Sequence, residues 1–284
     1  MKAPSFAYAR PDSLAEALEL LARHGEAARV LAGGQSLLAS LNMRLSSPEL
    51  LVDITGLKEL SGIRAHNGAL RIGALTRHRD IERSAEVARH VPLLAQAVPH
   101  VAHVAIRNAG TLGGSLALAD PAAEYLACAL ALDATLVIGG AGGERRLAAR
   151  DFFRALYSTA LGPGELLLAA EFPLLGAGYR SAFVELARRH GDYAIVGVAA
   201  HARVERGSVS DLRLAYLGVG STPVRARRAE AAIEGKAYGA QALAAVQAAL
   251  AEDLDPAPDL YHSRATKLHL ARVLTGRALA VLVQ

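Results

Sequence analysis

Two glycine-bearing stretches carry the residue types that could do chemistry in this chain. The first is AGGQSLLASL, residues 32 to 41, where Gly33 and Gly34 follow the apolar pair Val30 and Leu31 and lead into Leu37, Leu38, Leu41 and Leu45 at helical spacing. Glycine after a strand lets the backbone turn with positive φ and approach a ligand closely, and successive N–H groups there make a concave donor surface for an anion. A helix starting beside it adds partial positive charge, so the pattern suits a phosphate. The second stretch is IRNAGTLGGSLALADPAAEYLACALALDATLVIGG, residues 106 to 140, with Gly110, Gly113 and Gly114 in another glycine-rich turn.

Neither loop has the G-x-G-x-x-G of a Rossmann site or the G-x-x-x-x-G-K-[ST] of a P-loop. Each alone reads more readily as a structural turn. Jointly they suit a diphosphate, clamped from two sides, with the hydroxyls of Ser36, Thr111 and Ser115 added to the backbone amides. Asp120 and Glu124 could accept hydrogen bonds from ribose hydroxyls. Asp120 before Pro121 also reads as a helix N-cap, and Glu124 as an exposed acid in the first helical turn. His100 and His103 stand three apart without further clustered ligands, so they read as surface or core histidines and not as a metal site, with support of the neighbouring IRNAG loop as a further reading. No serine sits in a G-x-S-x-G elbow. Cys128, among alanines and leucines, reads as a buried inert thiol.

The elements that must position these loops follow from periodicity. DSLAEALELLARH, residues 12 to 24, predicts an amphipathic helix capped by Asp12 or Ser13, with Glu16 at capping-box spacing and Gly25 ending it. A strand at residues 29 to 31, the first loop, a helix through Leu45 and a strand LLVDI complete a βαβ-like unit. Asn67-Gly68 predicts a hairpin, Thr76 caps a short helix, and a longer helix covers residues 92 to 102. Asp120-Pro121 opens a helix to about Leu132, followed by strand ATLVI, a hairpin at GGAGGE, a turn at Phe152-Phe153 and strand GELLLAAEF. LLGAGYR, residues 174 to 180, reads as a connector. Beyond it lie three strands, SAFVELARR, AIVGVAAHARVE and SDLRLAYLGVG, and helices at 225 to 234, 239 to 252 and from about Ser263 to Leu282.

The 284 residues suit two compact domains or one large one with subdomains, and 52% hydrophobic residues mark a globular rather than disordered chain. The net charge of +4 comes from scattered arginines, which argues against a dedicated nucleic-acid surface. Arg225, Arg227 and Arg228 read as one solvated helix face. One cysteine excludes internal disulfides and a thiolate cluster. No apolar run reaches membrane-spanning length and the N-terminus lacks a signal-peptide core, so a cytoplasmic protein is expected.

AGGQSL, IRNAGTLGGSLALADPAAE and GDYAIVGVAA (residues 191 to 200), in this order, resemble the FAD-binding medium subunit of molybdenum-containing hydroxylases, the group of carbon monoxide, aldehyde and xanthine dehydrogenases. The likeness runs from the N-terminal helix to the last one. It implies an α+β fold of vanillyl-alcohol-oxidase type: FAD-binding subdomains at residues 1–55 and 56–175, then a C-terminal domain, 176–284, of three-stranded antiparallel sheet with helices. It implies that Ala32, Gly33, Gly34, Gln35, Ser36 and Leu37 form one pyrophosphate loop, and Gly110, Thr111, Leu112, Gly113, Gly114 and Ser115 the other. Glu124, more than Asp120, falls where the family has an acid on the ribose or adenine side. Leu167 falls at a leucine that contacts the cofactor, and Tyr193 at an aromatic lying against the isoalloxazine; a core tyrosine at a strand start is its other reading. Ser115, Gln35 and Val184 stand where relatives carry asparagine, histidine or threonine, and lysine.

The resemblance further implies an assembly, a dimer of heterotrimers, in which a molybdopterin-containing large subunit holds the substrate and a small subunit holds two 2Fe-2S clusters. The medium subunit passes electrons from those clusters through FAD to an acceptor. A free-standing flavin oxidoreductase and a flavin-free scaffold of the same fold are the alternatives.

Overall fold

The computed structural model describes residues 2–174 and 176–284. β1 (Ala7–Ala9), helix α1 (Leu14–His24), β2 (Ala28–Leu31), α2 (Leu37–Asn42) and β3 (Leu50–Asp53) form the first unit, whose parallel sheet runs β1-β3-β2. The Ser13 hydroxyl caps α1 by accepting from the Glu16 amide at 3.2 Å, and Glu16 in turn accepts from the Asp12 amide at 2.8 Å. α1 buries Ala17 and Leu21 against the sheet. The first glycine loop therefore leaves the C-terminal end of β2, where ligands of parallel sheets are commonly held. α2 is shorter than expected: it stops at Asn42 because Arg44 takes positive φ and turns the chain.

The second unit opens with the hairpin of β4 (Ile63–His66) and β5 (Ala69–Gly73) across Asn67 and Gly68, both at positive φ. Short helices follow: α3 (His78–Glu82), α4 (Ala85–His90), α5 (Pro92–Ala97), α6 (Val104–Arg107), α7 (Leu112–Leu118) and α8 (Glu124–Ala131). Then come β6 (Thr135–Gly140), β7 (Gly143–Ala148), α9 (Ala149–Phe152), the ribbon of β8 (Phe153–Ala155) and β9 (Ser158–Thr159), and β10 (Leu166–Pro173). The sheet is antiparallel throughout, ordered β4-β5-β10-β6-β7.

In the C-terminal unit β11 (Tyr179–Ala187), β12 (Ala194–Glu205) and β13 (Ser208–Leu217) make the antiparallel sheet. The two-residue strands β14 (Val224–Arg225) and β15 (Lys236–Ala237), unforeseen in the sequence, extend it along β13 and flank α10 (Arg227–Ile233). α11 (Ala240–Asp253) and α12 (Arg264–Val283) complete it, and Ala271, Leu274, Ala278, Leu279 and Leu282 of α12 pack on the sheet. No helix among the described residues is long and apolar enough to cross a membrane.

Four sequence expectations are corrected. Thr76 is not a cap: α3 begins beyond Arg77, while the buried Thr76 hydroxyl spans Gly62, donating to its carbonyl and accepting from its amide. The helix expected over 92 to 102 ends at Ala97 in a 3-10 turn through His100, since Pro99 cannot donate to the ladder. Asp120-Pro121 precedes α8 as a separate turn, in which Asp120 Oδ1 accepts from the Ala122 amide, and the N-cap is Ala123. Arg225 is not a solvated helix residue; it lies in β14, paired with Glu230 and Asp133.

α8 positions the site. Every one of its residues is buried, because alanines, leucines and Cys128 let it lie between helices α5, α7 and α9 of the second unit and the β12–β13 sheet. Its first residue, Glu124, therefore enters the protein at the junction of the second and third units.

Candidate functional site

The two glycine loops touch through backbone. A β-carbon on Gly33 would lie 2.5 Å from the Ala109 carbonyl oxygen and 2.7 Å from the Gly110 α-carbon, so only glycine permits this approach. Gly34 sits at φ +71°. Around that contact the loops differ. The amides of Gly33, Gly34, Gln35 and Ser36 donate no hydrogen bond within the described residues, while the Gln35 side-chain amide donates to the Gly33 carbonyl at 2.9 Å. Leu37 N is likewise free of an acceptor there.

In the second loop most donors are already committed. Gly110 N donates to Ile106 O, Leu112 N to Thr76 O, Gly113 N to Ala74 O, Gly114 N to Thr111 Oγ1 and Ser115 N to Thr111 O. The Thr111 amide alone is left. Gly113 and Gly114 belong to the first turn of α7, which Thr111 caps. A β-carbon on Gly113 would meet the Ala74 β-carbon at 2.4 Å, so this glycine serves helix-to-strand packing. Leu112 is wholly buried and Leu167, 3% exposed, shares its core cluster. The fold therefore brings Ala32 to Leu37, Gly110 and Thr111 together at one surface, with Ser115 half-buried beside them and the Leu112 and Leu167 side chains inside.

The carboxylates form the next layer. Asp120 Oδ2 accepts from the Tyr157 hydroxyl at 3.3 Å, so the β8–β9 ribbon closes over this turn. Glu124, expected as exposed, is 7% exposed, and burial together with Glu185 and Asp120 pushes its carboxyl up to about 8. Tyr193, just before β12, is 71% exposed; burial of its body and the nearby Asp120 and Glu124 carboxylates raise its hydroxyl. The exposed ring rules out the core reading. Tyr157 and Tyr193 are thus two aromatic walls about a pair of acids.

Sequence reasoning passed over Arg77 and His78 behind the loops. His78 donates its amide to the Gly110 carbonyl at 3.0 Å and lays its ring against Gly110; burial and Arg107 push it down to about 4, so it is neutral. Arg77 pairs with Thr111 in an isolated bridge. His100 Nδ1 lies 3.2 Å from Glu185 Oε1, a bond that raises its pKa. TRHRD, residues 76 to 80, carried a signal in its repeated basic residues just after β5, but partners so distant in sequence leave none. No group of three or more potential metal ligands occurs among the described residues, and Cys128 is buried.

Residues 4–175 match the family model "FAD binding domain in molybdopterin dehydrogenase", and residues 181–282 match "CO dehydrogenase flavoprotein C-terminal domain". The chain belongs to the FAD-binding medium-subunit family of molybdenum hydroxylases. It is 41% identical to the 6-hydroxypseudooxynicotine dehydrogenase complex subunit alpha of Paenarthrobacter nicotinovorans over 99% of this chain and 95% of that one. Among solved structures it is similar to carbon monoxide dehydrogenase from Hydrogenophaga pseudoflava, at TM-score 0.96 and 38% identity over 99% and 98% of the two chains. Quinoline 2-oxidoreductase from Pseudomonas putida 86 gives TM-score 0.95 and 39% identity over 100% and 99%. The fold expectation is met, and the protein is an oxidoreductase subunit of FAD-binding type. The free amides of the first loop, set against a second loop close enough to share a ligand, fit the diphosphate of that cofactor.

Proposed function

We propose that this chain is the electron-transfer subunit of a molybdenum hydroxylase, working with a molybdopterin-containing large subunit and a small subunit that carries 2Fe-2S clusters, assembled as a dimer of heterotrimers in the cytoplasm. Bound FAD would supply the two-electron redox chemistry and hand electrons to an external acceptor; the protein supplies binding, orientation and electrostatics. The observation carrying this reading is the run of unpartnered amides from Gly33 to Ser36 beside the Thr111 amide, a donor set made for anionic oxygens and no more.

In this reading Ala32 to Leu37 hold the pyrophosphate, aided by Thr111 and by hydroxyls of Ser36 and Ser115. Gly110 supplies the close approach, and Leu112, Gly113, Gly114 and Leu167 shape the floor. Glu124 and Asp120 face the polar parts of the cofactor. Tyr193 lies against the isoalloxazine, offering a flat apolar partner with a polar tip. Substrate choice belongs to the large subunit: relatives of nearly equal likeness act on a nicotine derivative, carbon monoxide and quinoline according to their names.

The test is the absorbance of the purified chain after incubation with FAD and gel filtration, alone and co-expressed with its neighbouring subunits. Flavin bands retained with the protein, and FAD released on denaturation, are the expected result. A colourless protein under both conditions would overturn the reading.

A further inference from the structure

A diphosphate brings two negative charges into the cleft, while the free donors of the two loops, the amides of Gly33 to Leu37 and of Thr111, are neutral. Asp120, beside the same cleft, adds negative charge. A whole positive charge is missing from the set. Other cations around the loops have partners: Arg107 is bound to Glu82 and to the Val101 and Ala102 carbonyls, Arg79 pairs with Asp80 at 3.5 Å, and Arg10 acts on the Asp53 carboxylate. Arg77 differs from these. It is exposed, and its guanidinium makes no ion pair and no hydrogen bond among the described residues.

The backbone fixes where that side chain starts. Arg77 is extended, at φ −73° and ψ 151°, and its neighbours Thr76 and His78 are buried, so its side chain turns outward between them. Leu112 N donates to Thr76 O and His78 N to Gly110 O, each at 3.0 Å. These bonds flank the antiparallel bridge of Arg77 with Thr111, which is therefore the kind of pair that shares no hydrogen bond of its own. In such a pair the α-carbons stand about 4.5 Å apart, both side chains rise on one face, and the amides point out of the ladder. The bridge thus turns the Thr111 amide away from the Arg77 segment, leaving that donor free, and sets the arginine stem beside Thr111. The frame is stiff. The Thr76 hydroxyl is tied to Gly62, and the His78 ring edge lies where a β-carbon on Gly110 would meet Cδ2 and Nε2 at 2.7 Å.

We propose that Arg77 is a further cofactor-binding residue, whose guanidinium supplies the positive charge for a diphosphate held by the Thr111 amide and the first loop. The proposal rests on the cofactor reading above and adds to that site a residue from outside both glycine loops. Arginine suits the role because its planar fork gives parallel N–H donors to phosphate oxygens and stays charged at any pH at which the protein is folded. Lysine at this position would keep the charge and lose the fork.

The chain, alone and in the assembly co-expressed with its neighbouring subunits, is stripped of flavin and titrated with FAD by fluorescence in about 50 mM and about 500 mM salt. Arg77→Gln is expected to bind about tenfold more weakly at the lower salt, and to lose most of the salt dependence that the wild type shows. Arg77→Lys keeps that salt dependence at an intermediate affinity. Arg79→Gln, two residues on, controls for a general change of surface charge and stays near wild type, and circular dichroism checks that all three variants are folded. Wild-type affinity and salt dependence in Arg77→Gln overturn the proposal; an equal loss in Arg79→Gln also overturns it, since that marks a diffuse field rather than a contact. A wild type that takes up no FAD in either form overturns the cofactor reading and this proposal with it.

Discussion

Gly33 and Gly110 meet backbone to backbone, with the α-carbon of Gly110 2.7 Å from the point where a side chain on Gly33 would begin. The atoms on the far side are main chain and cannot swing away. Gly33→Ala is therefore expected to part the loops and weaken FAD binding by at least about tenfold, with the circular dichroism spectrum unchanged. Fluorescence titration of FAD measures this, and wild-type affinity in the variant would refute the shared site.

Gly113 predicts the opposite balance. Its missing side chain makes room for Ala74 within 2.4 Å, inside the core rather than at the ligand surface. Gly113→Val should lower stability by about 1–3 kcal/mol or more through overpacking, and any loss of FAD should follow from unfolding. Chemical denaturation of the apo variant separates the two causes.

His78 and His201 supply a pH dependence. Burial pushes both down to about 4, helped by Arg107 and Arg213 respectively, and His201 Nδ1 is bonded to Ser181 Oγ at 2.8 Å. The folded values lie below the unfolded one, so the contribution is complete above about pH 6.5 and is lost as pH falls toward 4, where the unfolded chain binds the extra protons. Each imidazole can account for about 3 kcal/mol over that window. His201→Gln should flatten the slope of unfolding free energy against pH between those limits; an unchanged slope would rule out His201.

Arg225 joins the C-terminal unit to the end of α8. It reaches Glu230 at 2.7 Å and Asp133 at 3.0 Å while almost buried. Removing it leaves Glu230 without its nearest cation, so Arg225→Ala should cost about 3 kcal/mol. Restoring length without charge, as Arg225→Met, should recover little, because the buried Glu230 then keeps only the more distant and exposed Arg227, at 3.6 Å. Urea melts of the two variants test this.

Tyr193 can be probed by shape. Tyr193→Phe should keep FAD affinity within about threefold, whereas Tyr193→Ala should lose about 1 kcal/mol or more of aromatic contact. Fluorescence of bound FAD reports both, since a ring stacked on the isoalloxazine quenches it.

The longer strands, the amphipathic helix α1 and the place of both glycine loops were legible, since alternation, capping residues and Gly-Gly pairs are local signals, while the two- and three-residue strands β1, β8, β9, β14 and β15 were not. The division of labour between the loops was not. AGGQS and GTLGGS look alike as strings, yet the first leaves its amides free and the second winds them into α7. That difference depends on Ala74 and Thr76, whose carbonyls accept from the second loop across some forty residues. The burial of Glu124 was hidden for the same reason: its helical turn reads as surface until the β12–β13 sheet packs over it.

The contact of Gly33 with Gly110 also sets an order of events. The donor nest forms at the tip of β2, but its opposite wall arrives only when a segment far along the chain has folded around His78 and α7. A nascent polypeptide emerging from the ribosome would present half a socket until that later segment is synthesised. On the proposed reading, a bound cofactor would therefore report that both early units are native.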